Sequence, residues 1–261
     1  MQLNNARILL TGASGGLGKA LAAELSAAGA ALLLCSRDEG PLADVIVAPG
    51  AETRLLAGDL TSAAGVAAAV AAAREFRVNV LINNAGVGGF GLLDQQDWPT
   101  VDTILATNLA APVRLTQALL PCLRTHDEAA VVNIGSTFGS LPFAGFAAYS
   151  AAKAGLRGFS QALRRELADT AVRVIHVAPR AIDTPLNTQA VIRLNAALGS
   201  ASDTPAAAAA QIVAQLRANT AERHLGFPER IFAWLNGVAP SLIDRGLSGK
   251  LATIKHHATH Q

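Results

Sequence analysis

Short apolar runs alternate with longer alanine-rich stretches along most of the chain. The runs lack a clean alternation of polar and apolar positions, which is typical of strands buried on both faces of a sheet. Six such runs predict strands at residues 7–11, 31–35, 53–57, 80–83, 130–134 and 173–178, and residues 222–227 predict a shorter seventh. Because strands and helices alternate, the chain predicts an α/β fold with a single doubly wound parallel sheet.

The stretches between these runs predict helices on both faces of the sheet. Residues 19–28, 62–76 and 98–124 are rich in good helix formers. Asp203-Thr204-Pro205 precedes an alanine run at 206–210. A capping residue followed by proline indicates the start of a helix rather than a linker.

The chain continues beyond the seventh predicted strand, and residues 228–261 predict a helical extension to a domain at 1–227. Residues 228–238 carry apolar side chains at helical spacing, and Ile243, Leu247, Leu251 and Ile254 again lie on one helical face. We interpret the extension as packed on the domain or on a dimer partner. An interfacial membrane anchor and a lid over an apolar substrate are the alternatives.

A glycine-rich loop joins the first predicted strand to the first predicted helix. It reads Thr11-Gly12-Ala13-Ser14-Gly15-Gly16-Leu17-Gly18. Strand, glycine loop and helix form the context of a dinucleotide-binding fingerprint, in which glycines permit a tight turn, close approach of a pyrophosphate and close helix packing. The helix start then favours phosphate. The alternative is a flexible turn without a ligand.

Tyr149 and Lys153 are four residues apart, so a helix places them on one face, one turn from each other. A nearby ammonium group favours the phenolate, and we therefore expect Lys153 to lower the pKa of Tyr149. A phenol with a lowered pKa exchanges a proton with a substrate oxygen at ordinary pH. Spacing alone is equally compatible with a solvated helix face.

Taken together, these motifs resemble the short-chain dehydrogenase/reductase family. The T-G-x-x-x-G-x-G loop, Asn83-Asn84-Ala85-Gly86, Ser136 and Tyr149-x-x-x-Lys153 occur in family order over residues 5–225. The resemblance implies a Rossmann-like fold and NAD(P)-dependent hydride transfer between a ketone or aldehyde and an alcohol.

The resemblance also implies the role of each catalytic residue. Ser136 would hydrogen-bond the substrate carbonyl, and Tyr149 would be the proton donor in reduction or the base in oxidation. Lys153 would hold the nicotinamide ribose, and Asn108 would open its helix to hold a water linked to that lysine. The predicted cofactor-binding residues are Gly12, Ser14, Gly16, Leu17, Gly18, Arg37, Asp59, Leu60, Asn84, Ala85, Gly86, Tyr149, Lys153, Ile182 and Thr184.

Cofactor choice is expected at the end of the second strand, where Cys35-Ser36-Arg37 replaces the acidic residue that would bind the ribose of NAD. A guanidinium pairs with a 2′-phosphate, and Ser36 could add a hydrogen bond, so NADP(H) is preferred. Asp38 leaves NAD(H) possible. Asp59 would contact the adenine by resemblance, or else cap the following helix, a task open equally to Thr61 or Ser62.

One departure from the family pattern follows the sixth strand, where Pro179-Arg180 stands in place of Pro-Gly. Arg180 is expected to form a structural salt bridge, and contact with a substrate acid or phosphate is the alternative. Residues 186–199 are expected to form a mobile loop over the site. Phenylalanines bordering the site suit a hydrophobic ketone, a steroid-like carbonyl or a 3-oxoacyl group, although they could equally be core: Phe90, Phe138, Phe143 and Phe146.

Composition narrows the remaining possibilities. The formal net charge is +2 with no basic stripe, so nucleic acid is not an expected partner. The two cysteines, Cys35 and Cys122, read as buried small side chains, and the three histidines after residue 255 as a frayed tail. The resemblance implies a homodimer or homotetramer joined through helices 98–124 and 149–168, and we expect a cytoplasmic enzyme. A non-catalytic NADP sensor and a peripheral membrane reductase are the alternatives.

Overall fold

The computed structural model describes residues 1–259 as a three-layer α/β structure. Seven parallel strands form one sheet: β1 Arg7–Thr11, β2 Ala31–Ser36, β3 Thr53–Ala57, β4 Val80–Asn83, β5 Ala129–Ile134, β6 Val172–Ala178 and β7 Glu222–His224. Their spatial order is β3-β2-β1-β4-β5-β6-β7. The predicted doubly wound, Rossmann-like parallel sheet is therefore confirmed, with β7 shorter than expected.

The helices lie on both faces of the sheet and at the C-terminal end of the chain. They are α1 Gly16–Ala27, α2 Gly40–Ala43, α3 Ala63–Glu75, α4 Trp98–Leu105, α5 Ala111–Leu123, α6 Ala147–Glu166, α7 Gln189–Leu198, α8 Pro205–Ala218, α9 Glu229–Val238, α10 Pro240–Ser248 and α11 Leu251–Thr259. Short 3-10 turns occur at Leu3–Asn5, Leu93–Gln95 and Thr137–Gly139, and a π-helical turn, Ala106–Ala110, joins α4 to α5.

The central strands are apolar throughout because each face of the sheet carries its own core. Ile8 and Leu10 of β1 pack on the side of α1 and α8, whereas Leu9 packs on the side of α3 and α5. All three side chains are fully buried. This two-sided burial explains why polar and apolar positions do not alternate along the strand.

Three sequence expectations about helices are corrected by the structure. The glycine loop itself supplies the first turn of α1, so this helix begins at Gly16 rather than at residue 19. Segment 186–199 is not a plain loop, because Thr188 caps α7 by accepting from the amide of Val191. The face predicted from Ile243 to Ile254 is split between α10 and α11, which are separate helices.

The C-terminal helices pack on the body of the protein with their inner side chains. Ile254 and Ala258 of α11 are buried beside α7, so the histidine-rich segment is helical up to residue 259, not frayed. The third histidine, His260, lies outside the described residues. No helix in the described chain is both long enough and apolar enough to cross a membrane.

Candidate active site

The candidate site is a cavity of about 1220 Å³ at the carboxyl ends of the strands. The chain winds from β1 outward to β3, then crosses to β4 on the other side of β1. Loops leaving β1 and β4 therefore diverge, and ligands of open α/β sheets bind at such a reversal of strand order. The cavity runs from this point to the C-terminal helices.

The glycine loop forms one end of the cavity with backbone rather than side chains. Gly12 has a left-handed φ of +64°, and a Cβ there would lie 2.7 Å from the Cα of Ala85. A Cβ on Gly18 would collide with the carbonyl oxygen of Gly12 and lie 2.8 Å from the Cα of Ala13. Gly15, the N-cap of α1, has no side chain to cap the first-turn amides, and Gly16 and Leu17 line the cavity. An uncapped helix start of this kind favours an anion.

Hydrogen bonds join the glycine loop to the loop after β4. The side-chain amide of Asn84 donates to the carbonyl oxygens of Thr11 and Gly12 at 3.0 and 3.1 Å. The hydroxyl oxygen of Thr11 accepts from the backbone amides of Asn84 and Ala85, each at 3.0 Å. The two loops therefore form one rigid unit. Thr11 was not among the predicted site residues, although it is the first residue of the T-G-x-x-x-G-x-G loop.

Arg37 and Asp59 stand at the far end of the cavity, beyond the glycine loop. Arg37 is exposed and lines the cavity, whereas Asp38 does not line it. The hydroxyl of Ser36 donates its proton to the backbone carbonyl of Asp38 and therefore does not offer it to a ligand. Leu60 lines the cavity beside Asp59.

Asp59 is held in place by Thr61 and does not cap a helix. Its carboxylate accepts from the backbone amide and the hydroxyl of Thr61 at 2.9 and 2.7 Å. These bonds, together with the charge of Arg37, lower the pKa of Asp59. Ser62 is the N-cap of α3 and accepts from the amide of Gly65. The helix-capping alternative for Asp59 is therefore wrong.

Asn108 lies fully buried in the π-helical turn between α4 and α5. Its side-chain oxygen accepts from the backbone amide of Val87, and its amide donates to the carbonyl of the same residue. The wider π turn loosens the backbone of this helix, as the resemblance implied for this position. Asn108 also fixes the loop that carries Ala85 and Gly86.

Lys153 reaches from α6 into the cavity and is nearly fully buried. Its ammonium group donates to the carbonyl oxygen of Ile134 at 2.9 Å. Burial lowers its pKa to about 8, because the charged form is poorly solvated. Gly86 lies close by, since a Cβ there would be 3.8 Å from the ammonium nitrogen.

Tyr149 and Ser136 both line the cavity. Burial raises the pKa of Tyr149, and the nearby hydroxyl of Ser136 offsets part of this rise. The expected lowering by Lys153 is therefore not found in the protein alone, where desolvation of the phenolate dominates. The ammonium nitrogen of Lys153 lies 5.7 Å from the centre of the phenol ring.

Arg180 forms the structural salt bridge that was expected. Its guanidinium lies 2.6 Å from a carboxylate oxygen of Asp203 and 3.8 Å from Glu229 of α9. Asp203 also forms an isolated β-bridge with Ile182. The pair thus ties the loop after β6 to the start of α8 and to the C-terminal helices.

Ile182 and Thr184 of this loop line the cavity together with Ser14 and Leu17 of the glycine loop. A Cβ on Gly16 would lie 2.8 Å from the methyl carbon of Thr184. The structure therefore brings every predicted catalytic and cofactor-binding residue to one cavity.

Four phenylalanines form an aromatic wall beside Tyr149: Phe90, Phe138, Phe143 and Phe146. The rings of Phe138 and Phe146 approach the tyrosine ring edge-on, with centres 6.4 and 6.3 Å away. All four rings line the cavity. Further wall residues that sequence analysis did not single out are Asn195 of α7, Leu242 and Gly246 of α10, and Lys250. In the sequence, only helical spacing could have indicated these residues.

Metal and thiol chemistry find no support in the described part of the chain. No group of three potential metal ligands occurs there. Cys35 and Cys122 are free, Cys122 is only partly buried, and burial raises the pKa of Cys35 to about 12.

The fold and this site define a nucleotide-binding oxidoreductase of the Rossmann type, and comparison with known proteins identifies the family. A family model described as short chain dehydrogenase matches residues 6–194. The chain therefore belongs to the short-chain dehydrogenase/reductase family.

Several known proteins are similar to this chain. The 3-oxoacyl-[acyl-carrier-protein] reductase FabG of Escherichia coli (strain K12) is 35% identical over 180 residues, which cover 68% of this chain and 74% of the relative. A short-chain dehydrogenase from Streptomyces avermitilis has a TM-score of 0.78 at 31% identity, with 95% and 97% of the two chains covered. A short-chain dehydrogenase from Sphingobium yanoikuyae in complex with NADPH has a TM-score of 0.78 at 27% identity, with 92% and 95% covered.

Proposed function

We propose that this oxidoreductase uses NADP(H) to interconvert a hydrophobic ketone or aldehyde and its alcohol. One observation carries the proposal: Ser136, Tyr149 and Lys153 line the same cavity as the glycine loop and the aromatic wall. Residues 1–227 would be the catalytic domain, and residues 228–261 an extension that completes the substrate cavity.

The residues around the glycine loop fit a dinucleotide. The uncapped first-turn amides of α1 suit a pyrophosphate, and Gly12, Gly16 and Gly18 leave no room for side chains that would cover it. When bound, the nicotinamide would supply or accept the hydride at its C4 position. Lys153 would hold the nucleotide, and Asn84 would orient it by fixing the glycine loop.

Tyr149 would act as the general acid when a carbonyl is reduced. Its raised pKa keeps the phenol protonated at neutral pH, so it holds a proton to donate to the carbonyl oxygen. Ser136 would donate a hydrogen bond to the same oxygen and stabilise the charge that develops there. Lys153, with its pKa of about 8, would help to return a proton to the phenol from the side of Asn108.

NADP(H) is the preferred cofactor because Arg37 lines the cavity and Asp38 does not. A guanidinium at the end of β2 can pair with the 2′-phosphate that distinguishes NADP from NAD. The NADPH complex of the Sphingobium relative supports this choice. NAD(H) remains a possible second cofactor.

The substrate would be a carbonyl compound with a substantial apolar part. Phenylalanines beside Tyr149 and leucines from α10 form the wall that such a group would contact. A 3-oxoacyl group is one candidate, because the Escherichia coli relative is a 3-oxoacyl reductase. We also propose a cytoplasmic homodimer or homotetramer that uses the helices from Trp98 to Leu123 and α6.

The test is a pair of measurements on the purified protein and on Tyr149→Phe. Fluorescence titration with NADPH and NADH measures cofactor affinity, and NADPH consumption with a panel of hydrophobic ketones and 3-oxoacyl thioesters measures turnover. We expect tighter binding of NADPH by both proteins, and turnover by the wild type alone.

Two results would contradict the proposal. NADPH binding with no turnover, unchanged by Tyr149→Phe, would indicate a cofactor sensor. Binding of neither nucleotide would show that the cavity does not hold a dinucleotide.

A further inference from the structure

The C-terminal helix α9 carries apolar side chains on the face that points away from the protein. Ile231, Trp234 and Val238 follow the i, i+3, i+7 spacing of one helical face, and we call them the outer stripe. Their exposed fractions are 46%, 67% and 66%. An exposed apolar stripe with a tryptophan at its centre is the kind of surface that marks an interaction site.

The inner face of α9 already has its partners, so the outer stripe is not a misplaced core face. Ala233 is buried, Asn236 donates to the carbonyl of Ser140, and Glu229 lies against Arg180. On a helical wheel these residues point opposite to the outer stripe. The helix is therefore apolar on a second face that the described chain leaves uncovered.

The exposed apolar surface continues to the mouth of the substrate cavity. Leu186, Phe232 and Leu242 line the cavity and are also exposed to solvent. Phe227, just before α9, is two-thirds exposed. A partner seated on the outer stripe would therefore lie next to the entrance used by an apolar substrate.

Basic side chains accompany this surface. The segment from residue 228 onward contains Arg230, Arg245, Lys250 and Lys255 against two acidic residues, and so carries the whole formal net charge of +2. The structure gives these four cations no ion pair among the described residues, whereas Glu229 is engaged by Arg180. All four are exposed, so the C-terminal helices present both apolar and cationic side chains to solvent.

We infer that the C-terminal helices dock this protein on an anionic lipid surface, with the outer stripe inserted among the acyl chains. Amphipathic helices with aromatic residues on one side and Lys or Arg on the other bind in this way, and Trp favours the boundary between headgroups and acyl chains. A second copy of the chain is a poorer partner, because a two-fold contact pairs the same patch of both copies and would bring two cationic patches together.

Docking would bring the cavity mouth to the membrane, so an apolar carbonyl compound could enter without crossing water. This consequence rests on the proposed function, but the docking itself does not. A binding measurement without substrate or cofactor therefore tests docking alone, and its failure would leave the proposed reductase activity intact.

The two tryptophans of the chain provide the test. Trp98→Phe leaves Trp234 as the single fluorophore, and Trp234→Phe leaves Trp98, which is exposed on α4. We expect vesicles of phosphatidylglycerol and phosphatidylcholine to shift the emission of Trp234 to shorter wavelength and to leave that of Trp98 unchanged.

A charge variant checks the cationic part of the proposal. The double variant Arg245→Gln and Lys250→Gln should bind anionic vesicles about 25-fold more weakly in a sedimentation assay, since each cation near such a surface contributes about a 5-fold increase in affinity. The control, Arg124→Gln with Arg173→Gln, removes two exposed cations near the amino ends of β5 and β6, away from the cavity, and should bind normally.

Three outcomes would overturn the inference. They are an unchanged Trp234 spectrum with anionic vesicles, equal binding by the two double variants, and a Trp234 shift produced by protein concentration alone. The last outcome would assign the outer stripe to a second copy of the chain.

Discussion

The two halves of the cavity are built in different ways. The cofactor half contains the glycine loop, Arg37 and Asn84. Its walls are mostly backbone, and glycines and hydrogen bonds between loops set their shape. In the substrate half, side chains of the aromatic wall and of α7, α9 and α10 form the surface.

This difference explains why the cofactor half could be predicted from the sequence and the substrate half could not. A backbone cradle admits few residue types, because any Cβ at Gly12 or Gly18 would meet backbone atoms. A wall of apolar side chains keeps its function when one apolar residue replaces another of similar size. The motif that binds a nucleotide is therefore visible in the chain, while the choice of substrate is not.

Gly18→Ala should have the largest effect, because its new Cβ would collide with the carbonyl oxygen of Gly12. We expect a loss of about 3 kcal/mol in the free energy of unfolding and of NADPH binding. Gly15→Ala is the matched control, since its Cβ would lie 3.4 Å from the same oxygen and its φ is −74°. Urea unfolding and NADPH titration compare the two variants, and equal effects would refute a backbone-built cradle.

His176 of β6 lies against Gly135, and burial lowers its pKa to about 4. Between pH 6.5 and pH 4 the unfolded chain then binds more protons than the folded chain, so stability falls as the pH decreases. Over this pH range, the free energy of unfolding should fall by about 3 kcal/mol because of this group.

His176→Leu should remove most of this pH dependence, because it removes the titrating group. The substitution breaks no hydrogen bond, since neither ring nitrogen has a partner among the described residues. Urea unfolding at pH 7 and at pH 4.5 measures the difference. His126→Leu, in the loop before β5, should keep the wild-type dependence, and the idea fails if His176→Leu keeps it too.

Arg37→Ser tests the far end of the cofactor half. Loss of a charged hydrogen bond to the 2′-phosphate should weaken NADPH binding about 30-fold and leave NADH binding nearly unchanged. Asp38→Ala should change neither affinity, because Asp38 does not line the cavity. If Asp38→Ala weakens NADH binding while Arg37→Ser does nothing, the preference for NADP(H) is wrong.

Arg180→Ala tests the tie between the loop after β6, the start of α8 and the C-terminal helices. The Arg180–Asp203 and Arg54–Glu75 pairs have the same N–O distance of 2.6 Å, but their exposed fractions are 20% and 12% against 50% and 72%. Removing Arg180 should cost about 1.5 kcal/mol, since it leaves acidic groups poorly solvated. Arg54→Ala should cost less than about 0.5 kcal/mol. Thermal unfolding of both variants would show whether burial decides the difference.

Much of the architecture could be predicted from local pattern. β1, β3 and β4 have the predicted boundaries, and Thr204 caps α8 as expected. The boundaries that failed have physical reasons. Gly16 starts α1 because the glycine loop folds into the first helical turn, and α10 ends near Gly249, which interrupts an otherwise continuous apolar face.

In the candidate site, too, some features could be predicted from local pattern and others could not. Tyr149, Lys153 and the glycine loop were visible as spacing, whereas the direction of the pKa shift of Tyr149 was not. Spacing shows that an ammonium is near, but the pKa also depends on how far the surrounding chain excludes water. Here burial outweighs the charge of Lys153.

By itself, the sequence determined the order of strands and helices, the glycine loop and the reactive side chains. These depend on residues close together in the chain, where periodicity and backbone freedom act. Only the tertiary structure decided that Arg180 pairs with Asp203, that α10 lines the cavity, and that Trp234 faces outward. Contacts between distant segments depend on how the helices pack, and side-chain pattern along one segment does not specify its neighbour.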